Sequence, residues 1–305
     1  MRSAAVVLAS SMLVAGCEVN LNTEGLSARE VKTFKVSGAP ELSLDTFDGS
    51  IEVHSWDKNE IEVEIERRAM EQTLLDEIKI DAQQSGDKVT IKVTGPSRRD
   101  RGVTIGVHVS PTARLRVVVP RNLTLTAHSG DGAIRAESLE GRIVLNTTDG
   151  SVVASRLSGD IQIRSGDGSI RLEQITGKLD LETTDGSIGL EAKPTMLKAR
   201  TGDGSIRARI EPDSVMADNW EITTSDGTIT LGLPMSFNAE LDAETSDGSV
   251  RADRNIFPDD RDAGASGEEN RDERRERRRS LHTKLGDGGK TFRIRTGDGS
   301  IRIER

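Results

Sequence analysis

Between residues 126 and 253, apolar residues recur two apart in short runs, and the runs themselves recur every eighteen residues. Asp-Gly steps at Asp131, Asp149, Asp167, Asp185 and Asp203 mark the period. Three residues after each stand Ile134, Val152, Ile170, Ile188 and Ile206; two further on are Ala136, Ala154, Leu172, Leu190 and Ala208. On the approach to the next Asp come Ile143, Ile161, Leu179 and Leu197, then Leu145, Ile163, Leu181 and Ala199, then Thr147, Ser165, Thr183 and Thr201. Apolar residues at i and i+2 with polar residues between them predict strands with one buried face. Each unit therefore reads as a strand, a turn at Gly141, Gly159 or Gly177, a second strand, and a turn at Asp-Gly.

Later copies at Asp226, Asp247 and Asp298 keep the same columns, with Trp220 and Ile222, Leu241 and Ala243, and Phe292 and Ile294 in the apolar positions. The gaps between them lengthen while the inward set persists, which is how a solenoid absorbs insertions in its loops. A single unit cannot bury its own apolar face, so units must stack. The expected fold is all-β: a parallel β-solenoid with about 18-residue repeats and a less regular N-terminal β cap. Arg135, Arg171 and Arg207 recur every thirty-six residues, which leaves a larger two-unit coil open. The eighteen-residue coil is preferred because it places those arginines on alternate rungs instead of stacking like charges. In this reading the Asp-Gly step is a corner, with Gly supplying positive φ and Asp accepting backbone N–H groups of its own turn.

The pattern divides the chain. Residues 31–125 carry alternating runs such as "EIEVEIE", "KVTIKV" and "RLRVVV", with a short helix expected at "AMEQTLLDEI"; they read as first rungs and an end cap over otherwise exposed edges. Residues 126–253 are the repeats. Residues 254–284 contain "DDRDAGASGEENRDERRERRRS", almost without apolar residues, and read as a charged, disordered insertion. Residues 285–305 read as the final rung.

Composition narrows the classes. Only 34% of the 305 residues are hydrophobic and 2% aromatic, which suits a thin core of branched aliphatics. The formal net charge of −9 argues against general nucleic-acid binding. Cys17 is the single cysteine, so the chain has no internal disulfide or Cys-based zinc site. It closes "LVAGC", after Arg2 and an apolar run from Ala4 to Ala15. A basic start, an apolar middle and small residues at the cut form a secretory signal, and the run is short for a permanent span of about 20 residues. The segment resembles a bacterial lipoprotein signal. The resemblance implies cleavage of residues 1–16 between Gly16 and Cys17, acylation of Cys17, a polar tether over 17–30, and membrane anchoring outside the cytoplasm.

The repeated "DGSI" and "TGDGSI" units, the segment "RLRVVVPRNLTLTAHSGDGAIRAESLEGRIVLNTTDG" and the early "DGSIEVHSWDKNEIEVEIER" with its Trp56 together resemble the bacterial putative-adhesin family of β-strand repeats. That resemblance covers about residues 31–305 outside the insertion. It implies a β-repeat fold in the cell envelope and names no chemistry.

Candidate chemistry is sparse. The column Asp131, Asp149, Asp167, Asp185, Asp203, Asp226, Asp247 and Asp298 reads first as a structural turn ladder, and second as a Ca²⁺ ladder, the one cofactor the pattern suggests. Its spacing matches neither an EF-hand nor a calcium β-roll. "GDGGKT" at 286–291 lacks the first glycine of a phosphate loop, with Lys284 in that place. Arg274, Arg275, Arg277, Arg278 and Arg279 form a basic run suited to an anionic partner. The favoured role is a non-enzymatic, lipid-anchored envelope scaffold for adhesion or for protein or glycan contact, with no nucleic acid and no small-molecule substrate. Two alternatives remain beside it: an envelope-stress or regulatory lipoprotein sensing cations or cationic peptides, and a β-helical polysaccharide-acting enzyme.

Overall fold

The computed structural model describes residues 15–22, 25–96, 110–253, 256 and 279–305. The chain opens with β1 (Ala15–Asn22), β2 (Gly25–Lys35), β3 (Glu41–Thr46), β4 (Ile51–Trp56) and β5 (Glu60–Ala69). Helix α1 (Gln72–Glu77) leads to β6 (Lys79–Ser85) and β7 (Lys88–Thr94), then β8 (Thr112–Pro120) and β9 (Asn122–Ser129). The repeats supply β10 (Ile134–Glu137), β11 (Glu140–Thr147), β12 (Val152–Ser155), β13 (Ser158–Ser165), β14 (Ile170–Thr183) and β15 (Ile188–Thr201). After them come β16 (Ile206–Ile210), β17 (Trp220–Thr224), β18 (Ile229–Gly232), β19 (Ala239–Thr245) and β20 (Val250–Ala252). The C-terminal segment forms β21 (Ser280–Leu285), β22 (Thr291–Thr296) and β23 (Ile301–Glu304).

These strands stack into two facing ladders. The first runs β6-β7-β3-β9-β11-β13-β14-β15-β17-β22-β19-β21. The second runs β1-β2-β5-β8-β4-β10-β12-β14-β15-β16-β18-β23-β20. Strands β14 and β15 turn the corner and belong to both, so one sheet winds around one core. Ile134 pairs with Val152, Val152 with Ile170, Ile170 with Ile188 and Ile188 with Ile206. The coil is thus the eighteen-residue unit. Its apolar columns are buried throughout the stack, and each Val, Leu or Ile contributes about 1.5–3 kcal/mol by leaving water.

The third inward column is polar. Thr46, Ser129, Thr147, Ser165, Thr183, Thr201, Thr224, Thr245 and Thr296 are all the buried polar residues among those described. Each hydroxyl stands at an Asp-Gly corner. Thr147 Oγ1 shares its proton between the carbonyls of Gly130 and Gly132, at 3.0 and 3.1 Å, and accepts the Gly150 N–H at 3.1 Å. Ser165 repeats this, donating to Gly150 O and accepting from Gly168 N. One side chain thereby closes its own corner and ties it to the preceding coil.

That geometry corrects the expected reason for the corner glycine. Gly49 does adopt positive φ, at 126°. At Gly168, by contrast, what forbids a side chain is the neighbouring coil: a Cβ would lie 1.9 Å from Gly150 O. It is also the hydroxyl, two residues before Asp167, that receives the Gly168 N–H. Left-handed backbone belongs to the opposite corner, where Ser138, Arg156 and Gln174 have φ of 59°, 54° and 56°. Gly141, Gly159 and Gly177 follow them at 125°, 123° and 119°.

The ends differ from the repeats. At the N-terminus β5, β2 and β1 extend the second ladder antiparallel, and α1 places Leu75 over the core. The expected tether over 17–30 is instead largely strand: 17–22 belong to β1 and 25–30 are the first half of β2; Leu26 pairs with Ala69 and Ala28 with Arg67, and Ala28 is buried. Their short apolar alternation was hidden among polar neighbours. Residues 1–14 of the expected signal lie outside the described residues, as do Arg274, Arg275, Arg277 and Arg278 of the charged insertion.

The C-terminal rung is not final. β22 lies between β17 and β19, and β23 between β18 and β20, so residues 291–304 form the penultimate coil and 239–252 the last. The hydroxyl column agrees: Thr296 donates to Gly227 O, and Thr245 to Gly297 O and Gly299 O. The aromatic side chains supply a physical reason. Trp220 and Phe292 pair in register with ring centroids 5.3 Å apart, and Phe237 closes the cluster at 5.3 Å from Trp220.

Two substitutions test the corner. Thr147→Val keeps the shape but strands the Gly150 N–H, and should cost about 1–3 kcal/mol in denaturant unfolding. Gly168→Ala should cost at least as much, about 1–3 kcal/mol from overpacking, whereas Gly189→Ala, with open space around its Cβ, should leave the midpoint unchanged or raise it.

Candidate functional site

Pleating sends alternate residues of the second ladder outward, and in-register stacking turns each outward position into a row. Along β10, β12, β14, β15, β16, β18, β23 and β20, one row reads Arg135, Val153, Arg171, Gly189, Arg207, Thr230, Arg302, Arg251. Arginine occupies alternate rungs up to Arg302, separated by small uncharged residues. With rungs about 4.8 Å apart, those guanidinium stems recur every ~9.6 Å. On one side the corners add a hydroxyl row that includes Ser169, Ser187, Ser205, Thr228 and Ser300, all exposed. On the other side, about 7 Å away along each strand, the row reads Glu173, Glu191, Arg209, Gly232, Glu304, acidic on balance with one arginine among the glutamates.

The arginines differ in what they meet. In the first ladder neighbouring rungs alternate in sign and neutralise each other: Lys88 with Glu41 at 2.7 Å, Lys92 with Asp45 at 3.2 Å, Arg164 with Glu182 at 3.1 Å and Arg295 with Glu244 at 3.4 Å. The N-terminal part of the second ladder does likewise. Arg116 lies 2.8 Å from Glu64 and 3.8 Å from Glu52, Arg135 lies 3.8 Å from Glu52, and Arg156 contacts Glu137. Burial alone would raise the Glu64 carboxyl, but hydrogen bonds and charge from Arg29 and Arg116 outweigh it and hold Glu64 below the ordinary carboxylate range. Beyond this point the pairing stops. Arg171, Arg207, Arg302 and Arg251 are exposed, and make no ion pair among the described residues.

The same stretch is hollow. Gly189 lacks a side chain between Arg171 and Arg207, and Thr230 and Gly232 are short, so an open concavity of about 1110 Å³ runs across β14, β15, β16 and β18. Pro212 and Pro234 wall it on one side. The result is a trough with arginine along its floor and hydroxyls along one bank.

The structure places the other expected residues apart from this trough. Asp131, Asp149, Asp167, Asp185, Asp203, Asp226, Asp247 and Asp298 line one exposed edge, as the repeat requires. Among the described residues, no three His, Cys, Asp or Glu side chains come together in a way that could hold a metal ion. Arg279, the described member of the basic run, reaches Asp247 at 3.3 Å. "GDGGKT" is the arch that carries the chain from β21 past β19 into β22. Gly286, Gly288 and Gly289 adopt φ of 54°, 79° and 124° there, and the Asp287 N–H donates to Asn238 Oδ1 at 2.8 Å.

Sequence reasoning missed two features. The trough depends on which row faces out on which rung; the thirty-six-residue recurrence of arginine was its visible trace. The second is Asp242, which joins the last three strands of the first ladder: Arg295 lies at 2.6 Å, His282 Nδ1 at 2.8 Å and Arg293 at 3.6 Å. Burial raises its carboxyl, but the Arg295 hydrogen bonds and charge, with help from His282 and Arg293, hold it below the usual range. A depressed carboxylate contributes stability above its unfolded value and loses it as pH falls through the folded one. Protection of the β22 amides, taken as exchange relative to the intrinsic rate at each pH, should therefore fall selectively as pH drops below the ordinary Asp range. Asp242→Asn should show that lower protection already at neutral pH.

A family model described as Toastrack DUF4097 matches residues 39–304. Among solved structures, a putative adhesin from Parabacteroides merdae is 12% identical with a TM-score of 0.45, covering 90% of this chain and 95% of its own. A putative adhesin from Bacteroides fragilis is 8% identical at 0.41, with 90% and 96% covered. A putative cell adhesion protein from Clostridium sporogenes is 13% identical at 0.28, with 90% and 98% covered. No curated protein matches the chain.

Proposed function

The chain belongs to the Toastrack DUF4097 family, and on that premise we propose that it is a lipid-anchored, extracytoplasmic scaffold that contacts another envelope component without catalysis. The observation that carries this reading is the continuity of anchor and stack. Cys17, at the end of "LVAGC", lies within β1, the edge strand of the second ladder. Cleavage before it removes Ala15 and Gly16 of the strand and leaves the acylated residue directly before Glu18, which pairs with Arg29 of β2. The coil stack then begins at the membrane and carries its rows of side chains away from it. At ~4.8 Å per rung, the twelve strands of the first ladder extend about 50 Å.

Such a stack suits display better than turnover. Its side chains repeat evenly along each row, so a partner reads a pattern along the surface. Acyl chains supply the membrane affinity: one is marginal and two or more hold stably.

Metabolic labelling with an alkynyl fatty acid tests the anchor. Wild-type protein should take up the label and sediment with membranes, and a signal-peptidase II inhibitor should accumulate the uncut precursor. Cys17→Ala should lose the label and the inhibitor response together. An unlabelled wild-type protein would remove the anchored reading.

A further inference from the structure

We infer that the arginine–hydroxyl trough of the second ladder binds a linear acidic polysaccharide whose anionic groups fall on alternate sugars. This deepens the scaffold reading by naming the partner class, and it rests on the chain lying outside the cytoplasm. Four features of the surface select that ligand. Arg171 and Arg207 line the trough and Arg302 continues their row beyond it, on alternate rungs with Gly189 and Thr230 between them, a repeat of ~9.6 Å comparable to two sugars of an extended chain. Their guanidinium groups have no ion pair among the described residues, so a carboxylate or sulfate gains a fork of donors without displacing a partner. Ser169, Ser187, Ser205 and Thr228 add exposed hydroxyls along the same line, matched to sugar hydroxyls. The trough itself is open along its length and floored by backbone at Gly189.

The second outward row, acidic on balance although it contains Arg209, argues against broader partners. Glu173 and Glu191 lie one outward position from Arg171 and Gly189, about 7 Å away. A planar anionic membrane would meet both rows at once and be repelled by the second. Glu173, Glu191 and Glu304, with Arg209 among them, line the opposite bank of the same trough; a single chain can follow the arginine and hydroxyl bank alone, where a planar surface would meet both. Single-stranded nucleic acid would want aromatic stacking platforms, and the trough lining has none.

The test uses the full-length lipoprotein in nonionic detergent and measures binding to hyaluronate, whose carboxylates fall on alternate sugars. Neutral dextran and phosphatidylglycerol vesicles serve as comparison probes. Hyaluronate should bind and weaken steeply with added salt, because the charges are exposed. The Arg171→Gln/Arg207→Gln double variant should weaken binding by about tenfold or more, the loss of two charge-assisted contacts. Gly189→Glu is the folding-safe variant, since its Cβ has open space; it should abolish binding with an unchanged melting temperature. Arg164→Gln, on the first ladder beside Glu182, should bind as wild type. Absence of hyaluronate binding, equal binding by the trough variants, or trough-dependent binding to the vesicles alone would each overturn the inference. Cys17→Ala protein should retain hyaluronate binding, so failure of the anchor and failure of the trough are read separately.

Discussion

A buried hydroxyl at each Asp-Gly corner of the repeats is the interaction on which the stack depends. A corner brings backbone carbonyls of one coil against the glycine of the next, so closely that no Cβ fits, as at Gly168 over Gly150. Polar backbone groups packed that tightly must be paired or they cost the desolvation of each group. Thr147 and Ser165 meet the need by accepting the N–H of their own corner and donating to the coil before. The aliphatic columns supply most of the burial but little register, since Ile, Val and Leu slide over one another. Hydroxyls and glycines allow one register only.

Once the coils are locked, everything on the surface inherits their spacing. Outward residues become rows, and the sign of charge on successive rungs decides whether a row neutralises itself. The first ladder alternates acid and base and closes into ion pairs such as Lys88–Glu41 and Arg164–Glu182. Exposed pairs of this kind add little stability; their consequence is a surface with few charges left to offer. The second ladder follows the same rule as far as Arg135 and then departs from it, leaving arginines spaced by glycine and threonine. A construction constraint in the core thus sets the geometry in which a ligand is met.

The ends show how a repetitive fold ends its repetition. Antiparallel strands β1, β2, β5 and β6 and helix α1 finish the N-terminal side. At the other side the chain returns after the charged insertion, lays β21 antiparallel on β19, arches over its end and slots β22 and β23 inside the stack. The last rung is thereby gripped from both sides, and Asp242 is held by His282 and by Arg293 and Arg295 of β22.

The sequence by itself determined the coil: strand period, eighteen-residue repeat, inward columns and both corners were legible because each is local and repeated many times. It also carried the lone Cys17. The threonine column was visible too, but its role was not, since the carbonyls it meets belong to another coil. Rung order was likewise hidden, because every coil presents nearly the same apolar set and stacks acceptably on any other. Only in three dimensions do Trp220, Phe237 and Phe292 come together and place the C-terminal coil inside. The trough was decided there as well, because exposure and pairing of an arginine depend on the side chains of neighbouring rungs, which lie eighteen or more residues away in the chain.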